Sequence, residues 1–292
     1  MKKTILSAMC LALLSLSLGA QNPGGGQPDM AMMRRFFRNE PQKVKLAPEG
    51  PINSTAEKID FDECVLEIYQ AMNPNGICVL EFPGGGYSTL SMTHEGRDFA
   101  KWFNARGITY CMLQYRLPKG VHNGPLNDAE LAINYLKDHA DELKITKLGV
   151  MGTSAGGHLA STVATHYSSE RTRPEFQILV YPVTTMDLQY THKPSREYLL
   201  GKDASQELVD LYSNDLQVTD QTPRAFIVLA SDDFLVPVEN STRYYEALVK
   251  HKVSATLLCY PKGGHGFGNN ETFRYRNNWL DELETWINVE LR

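Results

Sequence analysis

The chain has 292 residues, 29 of them lysine or arginine and 34 aspartate or glutamate, for a formal net charge of −5. That balance argues against nucleic acid or an anionic membrane surface as the main partner, because both select basic patches. Beyond the first 20 residues no apolar run is long enough to cross a bilayer, so no membrane partner is expected.

In chain order, Lys2 and Lys3 precede an apolar run from Ile5 to Leu18 that ends in Gly19-Ala20, the layout of a secretory signal peptide cleaved before Gln21. Residues 1–20 are therefore read as an export signal, and the mature chain as periplasmic or extracellular. Cys10 lies inside the apolar run instead of just after it, which argues against a lipid anchor. Removing the first 20 of 292 residues leaves 272, enough for one large α/β domain with a sizeable core. Residues 21–45 are read as a flexible leader, Gly/Pro-rich over 21–28, with apolar and basic residues over 29–40 that could form a short helix. The folded domain is assigned to 46–292. Cys64, Cys78, Cys111 and Cys259 lie outside the signal, each in or beside a strand-like run, and none has metal-type spacing with histidine. Buried free thiols are the expectation, with one disulfide between neighbouring strands as the alternative for an exported chain.

From Asp60 onward strand and helix signals alternate, which predicts a mostly parallel sheet covered by helices on both faces. Strands are expected over 63–69, 77–82, 108–115, 148–151, 176–181, 225–230 and 255–260. Helices are expected over 96–105, 127–139, 239–251 and 271–289, the last with Trp279, Leu280, Leu283 and Trp286 at helical spacing as core anchors. Residues 183–222 break this rhythm. In a sheet protein whose site lies at the strand ends, a long polar insertion there reads as a small cap over a pocket.

The chemistry concentrates at Gly152-Thr153-Ser154-Ala155-Gly156, which follows a short apolar strand and opens a helix. Such a turn is so sharp that its serine sits in a strained conformation, with small neighbours to avoid clashes. It lifts the Ser154 hydroxyl above the carboxyl edge of the sheet and sets the Ala155 N–H at a helix N-terminus, facing developing negative charge. A serine hydroxyl needs a base, and the base needs an orienting acid; in this arrangement the chain order is serine, acid, histidine. His251 sits among lysines near a helix end, where a solvated imidazole is ordinary. His265 follows the last strand within Gly263-Gly264-His265-Gly266-Phe267-Gly268, a flexible loop able to bring an imidazole to Ser154, and is the predicted base. The acid should leave the strand at 225–230, where Asp232 and Asp233 both stand. Adjacent residues project differently, so only one reaches the imidazole. Gly84-Gly85-Gly86 follows another strand and lacks the spacing of a phosphate-binding or dinucleotide loop. With Ser154 downstream, Gly85, Gly86 and Ala155 are the predicted oxyanion-hole donors.

These residues resemble α/β-hydrolases of the hormone-sensitive-lipase-like esterase group over nearly all of 63–286. Phe82-Pro83-Gly84-Gly85-Gly86 is similar to that group's His-Gly-Gly-Gly loop, with proline in place of histidine. Tyr115-Arg116-Leu117-Pro118, followed by Asn127-Asp128-Ala129, is similar to its Tyr-Arg-Leu stretch, and Gly152 to Ala160 to its nucleophile motif. The spacing Asp-x-x-Val-Pro in such hydrolases implies Asp233 as the acid, with Asp232 the fallback. More narrowly, Tyr181-Pro182-Val183, Ser195-Arg196, Leu199-Leu200-Gly201 and Gly263-Gly264-His265-Gly266 resemble exported bacterial acetylxylan esterases. The resemblance implies a serine esterase without metal or cofactor, acting on an acylated, chiefly acetylated, carbohydrate such as xylan. Tyr87, His192 and Arg196 are candidate substrate-binding residues, each also readable as a surface or capping residue. Two rivals are a prolyl-type serine peptidase, whose large propeller 272 residues would not accommodate, and a non-catalytic sugar-binding protein, against which the full set of nucleophile, base, acid and glycine loop stands. The sequence assigns no oligomeric state.

Overall fold

The computed structural model describes residues 39–47 and 63–291. The export signal at 1–20, the Gly/Pro-rich leader at 21–28 and nearly all of the helix expected over 29–40 lie outside the described residues. Among those described, eight strands form one sheet: β1 (Gln42–Leu46), β2 (Cys64–Tyr69), β3 (Ile77–Phe82), β4 (Thr109–Gln114), β5 (Lys147–Thr153), β6 (Phe176–Val180), β7 (Arg224–Ala230) and β8 (Ala255–Tyr260). Their order is β1-β2-β4-β3-β5-β6-β7-β8. β2 is antiparallel to β1 and to β4, and every pairing from β4 across to β8 is parallel. Strands β3 and β6 are buried along their whole length, as parallel strands covered on both faces must be.

One expectation changes. The leader does not run to residue 45, because Gln42-Lys43-Val44-Lys45-Leu46 alternates polar and apolar and joins the sheet as its edge. Its lysines face outward, and Lys43 Nζ reaches Glu67 Oε1 at 2.9 Å, which suits an edge that must not pair with another chain. The strands at 63–69 and 77–82, consecutive in sequence, are not neighbours: β4 lies between β2 and β3.

The helices are α1 (Ala100–Asn104), preceded by a 3₁₀ turn at Arg97–Phe99, α2 (Gly124–Asp138), α3 (Ala140–Leu143), α4 (Ser154–His166), α5 (Lys193–Leu200), α6 (Gln206–Tyr212), α7 (Glu239–Lys250) and α8 (Arg276–Glu290). Two apolar clusters fill the molecule. One contains Leu80, Val150, Ala160 and Leu179, and the other Val79, Met151, Phe226 and Trp279. Trp279, Leu280, Leu283 and Trp286 on α8 are all buried, as their helical spacing predicts. Cys64, Cys78 and Cys111 are buried free thiols; Cys259, on edge strand β8, is also free but exposed.

Two polar ties fix the loops that matter for the site. The Arg116 guanidinium grips the Asp128 carboxylate at 2.6–3.0 Å, and the same carboxylate accepts the Arg116 N–H at 2.8 Å. This buried, doubly bonded pair anchors the segment after β4 to the start of α2, which explains why the two motifs occur together. His158 on α4 is wholly buried. Its Nε2–H donates to the Tyr212 carbonyl at 2.8 Å, leaving Nδ1 to accept the Tyr87 hydroxyl at 2.8 Å. The imidazole thus joins the nucleophile helix to α6 of the insertion.

Burial lowers the His158 pKa from 6.5 to about 4. The unfolded chain therefore binds the extra proton first, and stability falls as pH drops from 6.5 toward 4, then levels off for this group. The expected contribution is about 3 kcal/mol, from roughly 1.4 kcal/mol per pH unit. Urea unfolding at pH 7, 5.5 and 4 should show that loss in the native protein and a shallower slope in His158→Gln; equal slopes would remove His158 as the cause.

Candidate active site

β5 ends at Thr153, and Ser154 turns the chain into α4 with φ = 53°, a left-handed conformation that a serine holds only under compulsion. The compulsion comes from packing. A Cβ on Gly156 would lie 1.9 Å from the Phe82 carbonyl oxygen, so the first turn of α4 presses directly on the end of β3. Only a residue without a side chain permits that contact.

The three residues predicted to act together meet at the carboxyl ends of the parallel strands. The Ser154 hydroxyl lies 2.8 Å from His265 Nε2, and His265 Nδ1 lies 2.7 Å from Asp233 Oδ2. A carboxylate only accepts, so Nδ1 carries the proton and Nε2 is free to accept from the hydroxyl. Asp233 is held from behind, its Oδ1 accepting the N–H groups of Leu235 at 2.9 Å and Val236 at 3.0 Å. Asp232 is not part of this relay. Its Oδ1 accepts the N–H groups of Gly263 and Gly264 at 2.9 and 2.8 Å, bonds that hold its carboxyl below the usual range and shape the loop bearing His265. His251 caps the end of α7, exposed and away from the site.

The glycine loop faces the same hydroxyl. A Cβ on Gly84 would meet Ser154 Cβ at 3.1 Å and Glu95 Oε2 at 2.6 Å. Gly85, Gly86 and Tyr87 all have positive φ, at 126°, 65° and 61°, which curls the loop. Neither the Gly85 nor the Gly86 N–H bonds to another group among the described residues, and Ala155 occupies the second position of α4, where an N–H has no partner within the helix. Free backbone donors beside a serine–imidazole pair can stabilise an oxyanion.

The three predicted substrate-binding residues separate. Tyr87 is 1% exposed, its hydroxyl bonding His158 in the core. His192 precedes α5, half-buried, with Nδ1 2.8 Å from Ser195 Oγ and its ring 3.6 Å from where a Cβ on Gly86 would sit. Burial, and then the His265 imidazole, lower its pKa against the opposing pull of the Asp233 carboxylate, so a neutral imidazole faces the glycine loop. Arg196 is buried on α5 and lines a cavity beneath the insertion.

A model of the α/β hydrolase fold matches residues 79–269, which spans the glycine loop, Ser154, Asp233 and His265. The chain belongs to the α/β-hydrolase family. Among its relatives, an acetylxylan esterase of Xylanibacter ruminicola is 41% identical over 221 residues, 74% of this chain and 46% of that protein. An endo-1,4-beta-xylanase B of Butyrivibrio fibrisolvens is 35% identical over 214 residues, 67% of this chain and 33% of that one. The chain thus spans less than half the length of these two curated relatives. A crystal structure of an acetyl ester-xyloside bifunctional hydrolase from Caldicellulosiruptor lactoaceticus superposes with a TM-score of 0.75 at 32% identity, covering 85% of this chain and 97% of the other.

Within this hydrolase the support of the glycine loop departs from the histidine-bearing pattern, and the sequence reading missed how. The Gly84 N–H donates to Thr153 Oγ1 at 2.8 Å, and the Tyr115 hydroxyl to the Pro83 carbonyl at 2.8 Å. Behind the loop, the Tyr181 hydroxyl donates to Glu95 Oε1 and accepts the Gly268 N–H, both at 2.8 Å. Glu95 touches the oxyanion loop and Gly268 lies three residues past His265, so one phenol couples the two. Glu81 lies beneath, wholly buried, and burial together with the nearby Glu95 carboxylate pushes its pKa well above the usual range. No spacing rule points to Thr153, Glu95 or Tyr181, since each acts across strands distant in sequence.

Tyr181→Phe removes both bonds while keeping the ring that packs 4.8 Å from His265. Labelling of Ser154 by a fluorophosphonate should slow about tenfold, roughly 1.4 kcal/mol of barrier, while the unfolding transition stays cooperative. An unchanged labelling rate would show that the phenol has no part in setting the site.

Proposed function

We propose that this α/β-hydrolase is an exported serine esterase that removes acetyl groups from xylan-type polysaccharides or their fragments. One observation carries the reading: the unbroken Ser154–His265–Asp233 relay, at 2.8 and 2.7 Å, beside the unengaged N–H groups of Gly85 and Gly86. The names of the Xylanibacter and Caldicellulosiruptor proteins, one an acetylxylan esterase and one an acetyl ester-xyloside hydrolase, support the substrate. The layout of residues 1–20 supports export.

In this mechanism the Ser154 oxygen attacks the ester carbonyl as its proton passes to His265 Nε2. The carbonyl oxygen becomes an oxyanion held by the N–H groups of Gly85, Gly86 and Ala155, each worth on the order of 3 kcal/mol of barrier. Asp233 stabilises the imidazolium without taking its proton. The carbon–oxygen bond to the sugar breaks, and His265 returns the proton to the departing sugar oxygen. Water then attacks the acetyl-serine, giving its proton to His265, and acetate leaves as Ser154 is restored.

The purified protein incubated with acetylated xylan, acetylated mannan and feruloylated arabinoxylan should release acid fastest from acetylated xylan, as acetate, with ferulate measured for the third substrate. Ser154→Ala should lower that rate by on the order of 10⁴ or more. Faster turnover of an aminoacyl-proline amide than of p-nitrophenyl acetate would overturn the ester reading in favour of a peptidase, and absence of any Ser154 adduct with a fluorophosphonate would favour a non-catalytic sugar-binding protein.

A further inference from the structure

Beneath the insertion, residues 185–216 and α7 enclose a cavity of about 210 Å³ whose lining includes Met186, Asp187, Arg196, Gln206, Asp210 and Arg243. Its two cations differ in an informative way. Arg243 is satisfied: its guanidinium meets Asp215 Oδ2 at 2.8 Å and Asp187 Oδ2 at 3.7 Å, and lies over the Tyr190 ring. Arg196 is 7% exposed, its Nε is buried without a hydrogen-bond partner, and its guanidinium has no ion pair among the described residues. Nε itself is closed off from the cavity, so the part of Arg196 that a ligand there can meet is the terminal guanidinium edge, which makes no hydrogen bond or ion pair among the described residues.

We propose that this cavity is a subsite for one neutral sugar ring of the polysaccharide, held through its hydroxyls by Arg196; the inference rests on the esterase reading and specifies where the rest of the substrate goes. A free carboxylate or phosphate is a poor match, because it would face Asp187 and Asp210 across the same cavity. An acyl chain is no better, because it would leave the Arg196 donor unpaired. Ring hydroxyls serve both kinds of partner: they can accept from Arg196 and from the second N–H of Gln206, whose Nε2 already donates to Asp210 Oδ1 at 2.7 Å, and donate to the remaining carboxylate oxygens. Leu188 and Leu216, both lining the cavity and more than half exposed, offer apolar surface to the carbon–hydrogen face of a ring. The volume lies below the roughly 300–1,000 Å³ of pockets for drug-sized ligands, which limits it to a single ring.

The position fits a neighbour of the esterified unit. Thr185, in the cavity wall, is two residues beyond Val183, whose N–H donates to the Ser154 carbonyl at 3.0 Å; two residues of extended chain span at most about 7 Å. On the other side, Arg196 follows Ser195, whose hydroxyl bonds the His192 ring that faces Gly86.

The test compares kcat/KM on acetylated xylotriose with kcat/KM on p-nitrophenyl acetate, which carries no sugar hydroxyls for Arg196 to hold. Arg196→Gln should lower that ratio about tenfold, mostly through KM. Gln206→Ala, on the exposed face of α6, should lower it about threefold and decides the matter if the buried arginine variant fails to fold. In parallel, xylotriose is titrated calorimetrically into Ser154→Ala protein, with and without Gln206→Ala; weaker binding in the double variant supports the subsite. An unchanged ratio in every folded variant, or sodium glucuronate binding more tightly than xylotriose, overturns it. If the wild type cleaves neither ester, the esterase reading falls while the titration still decides the subsite on its own.

Discussion

The site depends on one contact between backbones. The Phe82 carbonyl stands where a side chain on Gly156 would begin, and a Cβ on Gly84 would lie 3.0 Å from the Thr153 carbonyl oxygen and 3.1 Å from Ser154 Cβ. A side chain at position 156 would force the start of α4 away from the end of β3. Because the strands are parallel neighbours in register, Phe82 opposite Gly152, this close approach brings the glycine loop and the nucleophile turn to the same edge of the sheet. The positive φ of Ser154 accompanies that contact: the residue is strained at the point where the chain turns from β5 into α4 beside the glycine loop. Strain of that kind costs about 1–3 kcal/mol and persists only where the surroundings over-determine it.

What over-determines it is a layer of buried acids and phenols behind the loops. Thr153 takes the Gly84 N–H, Tyr115 takes up the Pro83 carbonyl, and Tyr181 bridges Glu95 to Gly268. Two carboxyl groups so close in an apolar interior cannot both carry charge cheaply, and the pKa of Glu81 rises accordingly. In the same layer the Tyr181 hydroxyl donates to Glu95 Oε1 at 2.8 Å. The imidazole of His265 stacks at a tilt on that same phenol, so the base is located by packing as well as by Asp233.

Much of this was legible in the sequence, and the boundary of what was legible is physical. Ser154, Asp233 and His265 could be found because each sits at the end of a strand whose apolar run is short, dense and followed by a turn, so chain order alone arranges them. The choice of Asp233 over Asp232 came from resemblance, and its reason emerges only in three dimensions: Asp232 spends its oxygen on two N–H groups of the histidine loop. A residue after three glycines reads as a loop tip, whereas the ring of Tyr87 lies in the core. β1 was missed because five alternating residues carry little signal until a partner strand is present to pair with them. Glu95 and Tyr181 were invisible for a different cause: 86 residues separate the two, and nothing local marks either as a partner.

The insertion over 183–222 is bound to the core at points that leave little freedom for a lid. Asn214 donates to the His158 carbonyl, Ser161 Oγ and Thr162 Oγ1 on the nucleophile helix, at 2.7–3.2 Å. Asn240 on α7 accepts from the N–H groups of Thr184 and Thr185 and donates to the Tyr190 carbonyl. His158 adds the tie to Tyr212. Opening the insertion as a rigid flap would break these buried bonds together and exchange each for bonds to water, at a net cost of about 0.5–1.5 kcal/mol apiece. The insertion is thus held in place before any ligand arrives, so binding beneath it need not also supply the free energy of ordering a cap.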